Sequence, residues 1–526
     1  MNKHYVHCHQ AFDLNKGGSV GYVSTLYASY VKYGNFITKN KNQINFLFPN
    51  IGVKDRLTNF VLRDVIDSRF TYINDFKNPD GLQNLINERK RWFKEILPPS
   101  EYSKIDLRNI KSIHIHGAYN FLPVYNFLKS QDLDGKVIKI LTTHNPYKPE
   151  FEDLELISRG RQWKDADIRT LKYFYNERDL WSFKLADALI FPSEFSMEGY
   201  FKTWPEFREI IKNKRIYFCT TGGQKKGSSI SAKLLKESLG IPESAKVFLY
   251  LGRFVNVRGY DILIKAAKEI LKNTSSPIYF VVVGESFKTP EISDKRWIQI
   301  PFTTSPGDFL EMADAALCPN RGSLFDLSMI EILASSTPLI CSEVGGYKYL
   351  RNKTDGVFYT EPENVKSLIS AILDFCELSK DQIISLGKSN FALYEDELSL
   401  EKFYLNYSSC VDQIYEDFNI RKSETNIKQI DIQDIDLQKD FRSIKENSFI
   451  VSNPININKT KVTEKTASPV QKTIAATKAV IQNRKQDNHA VQVVTSSKSL
   501  TPTQRKLRKL IRNPRLYFED FFKKHF

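Results

Sequence analysis

Between Lys246 and Cys341 short, dense apolar runs alternate with amphipathic stretches, and few folds accommodate that order. KVFLYLGR (246–253), PIYFVVVGES (277–286), RWIQIPF (296–302), ALCPN (316–320) and the Pro-led run Thr337–Cys341 have the character of strands. DILIKAAKEILKN (261–273) and PGDFLEMAD (306–314) carry helical spacing. Strands alternating with helices predict a doubly wound parallel sheet. The first part of the chain repeats the order. YVHCHQAF, QINFLFP (43–49), KSIHIHGAYN (111–120), KVIKILTTHNPY (136–147), ALIFPSEF (188–195) and RIYFCTTGG (215–223) are expected strands. Val20–Tyr33, 79–107, Glu150–Lys184 and the segment from Glu194 to Phe201, with Ser193 as its cap, are expected helices. Residues 223–243 fit an interdomain connection. Two such sheets facing a cleft follow from this order alone.

The stretch Pro319–Ile340, PNRGSLFDLSMIEILASSTPLI, sits where such a sheet binds ligands. A small-residue turn leads into a short helix whose free N–H groups and positive dipole end suit an anion. Glu331 lies two turns further in, where a carboxylate can take a pair of ligand hydroxyls. Gly17 and Gly18 form a second glycine turn before a helix, a weaker signal of the same kind. Arg253 and Arg258 share one strand-end loop and can clamp a diphosphate bidentately, with Gly284 at the next strand end. His114, His116 and His144 fall at strand ends, either as hydrogen-bonded side chains or as metal ligands. His144, before Asn145-Pro146, is the best placed to touch substrate.

These motifs, in this order, resemble the retaining GT-B glycosyltransferases of the glycosyl transferases group 1 family. The matching text is LGRFVNVRGYDILIKA (251–266), FVVVGE (280–285), PNRGSLFDLSMIEILASSTPLICSEVGG (319–346) and TDGVFY (354–359). Earlier matches are GGSVGYVSTL (17–26), IHIHG (113–117), TTHNP (142–146) and ALIFPSEF (188–195). The resemblance covers about residues 1–420. It implies two Rossmann-like domains: 1–222 for the acceptor and 223–385 for a nucleotide sugar, with helices over 386–420 crossing back to the first.

The resemblance also implies site roles. Arg253 matches the phosphate-binding Arg, and Arg258 stands where the family has Lys. Glu331 matches the second acid of the E-x7-E motif, which holds the ribose. Gly18 offers its amide to the donor phosphate beside Gly17. His144 lies near the sugar, and the backbone of Leu324, Phe325, Asp326 and Leu327 lies by sugar and phosphate. No metal or other cofactor is implied, because the nucleotide sugar is a substrate. The partners implied are that donor and a glycan or lipid-linked acceptor, as in bacterial capsule or lipopolysaccharide synthesis. Two positions depart from the family: Ser323 replaces the first acid of the motif, and Ser336 replaces a Gly. Ser323 motivates a second expectation, a catalytically silent scaffold that recruits polysaccharide enzymes.

Composition narrows the setting. Six cysteines without CxxC spacing point to buried free thiols. No apolar run approaches the roughly 18 residues of a transmembrane helix. The start, MNKHYVHCHQ, lacks a signal-peptide core, so a cytoplasmic chain is expected. Residues 421–526 hold 22 Lys and Arg against 10 Asp and Glu, +12 of the chain's +15. Residues 421–500 have the composition of a flexible linker. Residues 501–526 form a basic tail with Leu507, Leu510, Ile511, Leu516, Phe518, Phe521 and Phe522 on an apolar side. That combination suits an anionic bilayer surface, placing the chain peripherally at the inner face of the cell membrane. No nucleic-acid-binding fold accompanies the charge. Removing residues 501–526 is expected to abolish most co-sedimentation with anionic vesicles; equal binding of both forms would refute the anchor.

Overall fold

The computed structural model describes residues 2–8, 12–14, 17–37, 42–47, 107–158, 165–284 and 292–420. The linker and tail (421–526), Glu285 and nearly all of the helix expected over 79–107 lie outside the described residues. Among the described residues, twelve strands form two parallel sheets. The first contains β1 (Asn2–His7), β2 (Asn42–Leu47), β3 (Ile110–His116), β4 (Ile138–Thr142), β5 (Ala188–Phe191) and β6 (Arg215–Phe218), in the order β2-β1-β3-β4-β5-β6. The second contains β7 (Lys246–Gly252), β8 (Ile278–Gly284), β9 (Trp297–Pro301), β10 (Ala315–Cys318), β11 (Leu339–Ser342) and β12 (Val357–Thr360), in the order β12-β11-β10-β7-β8-β9. Both are the doubly wound sheets expected.

The second sheet shows why its strands are apolar throughout. Alternate residues of a strand point to opposite faces, so a sheet covered on both sides needs apolar residues at every position. All seven residues of β8 are buried. Val247, Leu249, Val281 and Val283 enter one core layer with the Leu327–Ala334 and Pro306–Met312 helices. Phe248, Tyr250, Phe280 and Val282 enter the other, with the Tyr260–Asn273 and Val365–Cys376 helices. The Ala232–Ser238 helix, within the expected connection, contributes Leu235 to the first layer. Ser193 sits at a helix start but makes no backbone cap; its hydroxyl pairs with that of Ser196 at 3.1 Å. The charged region from Pro149 includes the helices Pro149–Ser158 and Asp165–Leu185 among the described residues.

The Lys380–Leu393 helix opens on a capping box of Ser379 and Gln382 and stays with the second domain, where Ile383 and Leu393 are buried. The return to the first domain comes at Ser399–Leu400, later than residue 386. The Leu400–Ile420 helix then packs Phe403, Tyr404 and Tyr407 against Val6, Val20, Tyr22 and Leu26. The two crossings run side by side: the Gly223 N–H donates to the Leu398 carbonyl at 2.9 Å. Five of the six cysteines are buried, and all six are free. No described helix is long and apolar enough to cross a membrane.

Polar groups fasten the returning helix as well. The Tyr407 hydroxyl lies 2.8 Å from His114 Nδ1 and 2.8 Å from His4 Nε2, all buried. Tyr407→Phe leaves both imidazoles short of a partner. It is expected to lower stability by roughly 1–3 kcal/mol, read from the urea midpoint; an unchanged midpoint would contradict that role.

Candidate functional site

The carboxyl ends of both sheets open onto one cleft of about 990 Å³. Its first-domain wall includes Gly17, Gly18, His144, Asn145 and Glu152, and its second-domain wall Arg253, Arg258, Gly284 and Glu331. Gly18 begins the Gly18–Ile37 helix in the left-handed region, φ +65°, with open space where a Cβ would stand. That leaves the first turn of the helix exposed to a ligand. Gly284 has a different reason for being glycine. A Cβ there would meet the Gly252 carbonyl at 2.2 Å, so the β7 and β8 ends approach too closely for a side chain. His144 lies two residues past the end of β4 rather than on it.

Asp326 organises the second-domain wall. Its Oδ2 accepts from Arg258 Nη1 at 2.6 Å, Asn320 Nδ2 at 2.9 Å and the Tyr347 hydroxyl at 2.7 Å. Burial opposes the Arg258 charge, but Asp326, followed by Tyr347 and Tyr250, outweighs it and holds the guanidinium firmly cationic. Asp326 is also the residue before the Leu327–Ala334 helix, where a carboxylate complements the dipole. The backbone N–H groups of Leu324, Phe325 and Asp326 make no hydrogen bond among the described residues. They remain available at the wall of the cleft.

Arg253 is half exposed and reaches across the cleft to Glu152 Oε1 at 2.9 Å. Glu152 also accepts from the Asn145 amide. Burial raises the Glu331 carboxyl above its ordinary value, and Lys226 works in the other direction from 3.4 Å. Lys226 Nζ also donates to the Leu14 carbonyl at 3.2 Å, so it ties the first domain at Leu14 to the deep acid of the second. Glu198 of the first domain accepts from the Gly345 N–H at 2.8 Å and pairs with Lys348 at 3.1 Å. The Ser196 hydroxyl donates to the Leu324 carbonyl at 2.6 Å.

Ser323 is placed elsewhere. It is 2% exposed, outside the residues lining the cleft, and its hydroxyl has no partner among the described residues. Its carbonyl accepts from the Gly346 N–H at 3.0 Å, and a Cβ on Gly345 would lie 1.9 Å from that carbonyl. The glycine pair after β11 therefore presses the turn inward at Ser323. Lys226 and Glu152 escaped sequence reasoning. One lies in an interdomain connection and the other among many charges on a helix, and no spacing relates either to its partner. No group of three or more metal-ligating side chains occurs among the described residues, and His114, His116 and His144 are hydrogen-bonded side chains.

Residues 245–377 match the family described as Glycosyl transferases group 1. The chain is 23% identical over 310 residues to the lipopolysaccharide 1,2-N-acetylglucosaminetransferase of Salmonella typhimurium, covering 54% of this chain and 70% of that one. It is 24% identical over 208 residues to an Escherichia coli UDP-Gal:alpha-D-GlcNAc-diphosphoundecaprenol alpha-1,3-galactosyltransferase, covering 37% and 48%. Across the curated relatives the matched segments span 30% to 70% of their length. The E. coli trehalose-6-phosphate structure bound with UDP-2-fluoro glucose superposes with a TM-score of 0.51 at 11% identity, over 78% of this chain and 99% of that one, a likeness of fold alone.

Asp326→Ala would leave the Arg258 guanidinium, 22% exposed, without its carboxylate. A loss of about 3 kcal/mol is expected for an uncompensated, largely buried charge, measured by urea unfolding. A loss below the error of that measurement would show that the pair does not hold the wall.

Proposed function

We propose, from the match of residues 245–377 to the glycosyl transferases group 1 family, that the chain transfers a sugar from a nucleoside-diphosphate donor, with retention, to a glycan or lipid-linked acceptor. The observation that carries this reading is the convergence of Arg253, Arg258, Glu331 and the Gly17-Gly18 turn on one cleft between two doubly wound sheets. Glu331 takes the ribose hydroxyls. Arg253, Arg258 and the N–H groups of Leu324, Phe325 and Asp326 surround the diphosphate. The acceptor oxygen attacks the anomeric carbon from the face the diphosphate leaves. As that bond breaks, negative charge grows on the departing diphosphate, and fixed cations and dipoles stabilise it there. Water is kept from the donor by the two walls of the cleft.

Both arginines are paired with carboxylates, Arg253 with Glu152 and Arg258 with Asp326. Binding of a diphosphate therefore exchanges one anion for another at Arg253, the more exposed of the two. The setting we propose is cell-surface polysaccharide synthesis at the inner face of the membrane, with residues 501–526 as the anchor. A second reading, a silent scaffold, is favoured by one observation: no carboxylate stands at position 323, and that side chain is outside the cleft.

Thermal-shift titration separates the two. Stabilisation by UDP, GDP or ADP is expected, reaching about 2.7 kcal/mol at a hundredfold excess over Kd. No response to any of them at millimolar concentration would favour the scaffold. Arg253→Ala is expected to weaken binding roughly tenfold or more, the loss of one charge-assisted contact. Unaltered affinity would remove Arg253 from the phosphate site.

A further inference from the structure

Eight histidines occur in the chain, and four of them, His4, His114, His116 and His144, gather behind or beside the cleft. Their protonation patterns can be worked out from what their partners are able to donate. Thr142 Oγ1 donates to the Ile190 carbonyl at 2.9 Å, and a carbonyl can only accept. Thr142 must then accept from His114 Nε2–H, 2.8 Å away. His114 Nδ1 is therefore bare and accepts from the Tyr407 hydroxyl. Tyr407 in turn accepts from His4 Nε2–H, and His4 Nδ1 accepts from the Ser112 hydroxyl at 2.6 Å. His4 and His114 are thus both Nε2–H tautomers, ordered from a single backbone carbonyl.

His116 and His144 form a separate pair, His116 Nδ1 to His144 Nε2 at 3.0 Å, with rings stacked at 27° and Tyr22 against both. Burial lowers the pKa of both, so the pair is neutral and one ring must donate to the other. His116 Nε2 is fully buried and has no partner among the described residues. If His144 were the donor, His116 would carry its proton on Nε2, an orphaned buried N–H, which folded proteins avoid more strictly than a bare acceptor. If His116 Nδ1–H donates, the orphan is only a lone pair. The second arrangement leaves His144 protonated on Nδ1. His144 lines the cleft, and its Nδ1 makes no hydrogen bond among the described residues.

We infer that His116 is a positioning residue that locks His144 as a neutral Nδ1–H donor toward the cleft. His144 then recognises an oxygen lone pair of the bound substrate, on a sugar hydroxyl or a phosphate. It cannot act as a general base, because Nε2 already accepts from His116 and Nδ1 already holds a proton. Naming the substrate as a sugar or phosphate rests on the proposed function; the tautomer does not.

The test is long-range 1H–15N NMR of the full chain carrying 15N-histidine at pH 7.5, with His144→Ala and His116→Ala spectra assigning the two rings. The expected pattern is Nδ1–H for His144 and His116, against Nε2–H for His4 and His114. An Nε2–H or doubly protonated His144 would overturn the inference. His116→Leu is expected to release His144 into a mixture of tautomers. His116→Asn, whose amide stands near the lost Nδ1–H, is expected to restore the Nδ1–H form. A His144 tautomer unmoved by His116→Leu would also overturn it, and the wild-type spectrum decides the matter if that variant does not fold. Failure of every nucleoside diphosphate to bind would defeat the proposed function while leaving this result intact.

Discussion

A parallel sheet covered on both faces leaves chemistry only one place to go. Its strands must be apolar at nearly every position, and its connections must cross over as helices. Catalytic and binding groups are then confined to the strand ends and the loops beyond them. Both sheets here obey that constraint, and β8 with seven buried residues in a row is its clearest expression. Because both sheets point their carboxyl ends toward the same cleft, the groups excluded from each core become each other's neighbours. Glu152 meets Arg253, and Lys226 meets Glu331, without any local sequence relation between them.

The walls of the cleft differ in electrostatic character. The second-domain wall is built around a fixed ion pair, Arg258 with Asp326, braced by Asn320 and Tyr347. It is preorganised, and little of it must move when a ligand arrives. The seam to the first domain mixes short buried contacts, Glu198 with Gly345 and Lys348 and Ser196 with Leu324, with looser ones at the cleft, Arg253 with Glu152 and the 3.4 Å approach of Lys226 to Glu331. Contacts of the looser kind are individually weak and exchange readily for a competing anion. The division suits a site in which one half recognises the ligand and the other adjusts to it.

Much of this was legible in the sequence, and the parts that were not share a cause. The alternation of apolar runs with helical spacing identified both sheets, and the glycine turns and strand-end arginines marked the cleft. Glu331 and Arg258 could be placed at the cleft because each sits at a fixed point of a strand–loop–helix unit. Ser323 could not, because its burial depends on Gly345 and Gly346, which arrive after another strand and press the turn inward. For His114 and His116, at the end of one strand, spacing left both hydrogen-bonded side chains and metal ligation open. Their actual partners, Tyr407 and His144, come from a returning helix and a turn that spacing does not connect to β3. Long-range partners of this sort are set by tertiary packing, which short-range pattern does not encode.

The returning helix has a consequence for how the molecule is made. The first domain uses residues 400–420 to cover its sheet and to satisfy His4 and His114, yet the ribosome delivers those residues only after the whole second domain. Chains generally fold domain by domain from the N-terminus as they emerge. Here that order is broken: the second domain can close while the first still waits, its apolar groove beside Val20, Tyr22 and Leu26 open and its imidazoles unsatisfied. A nascent chain stalled before residue 400 would carry a finished second domain and an unfinished first, so biosynthesis itself imposes a window in which chaperones have something to hold.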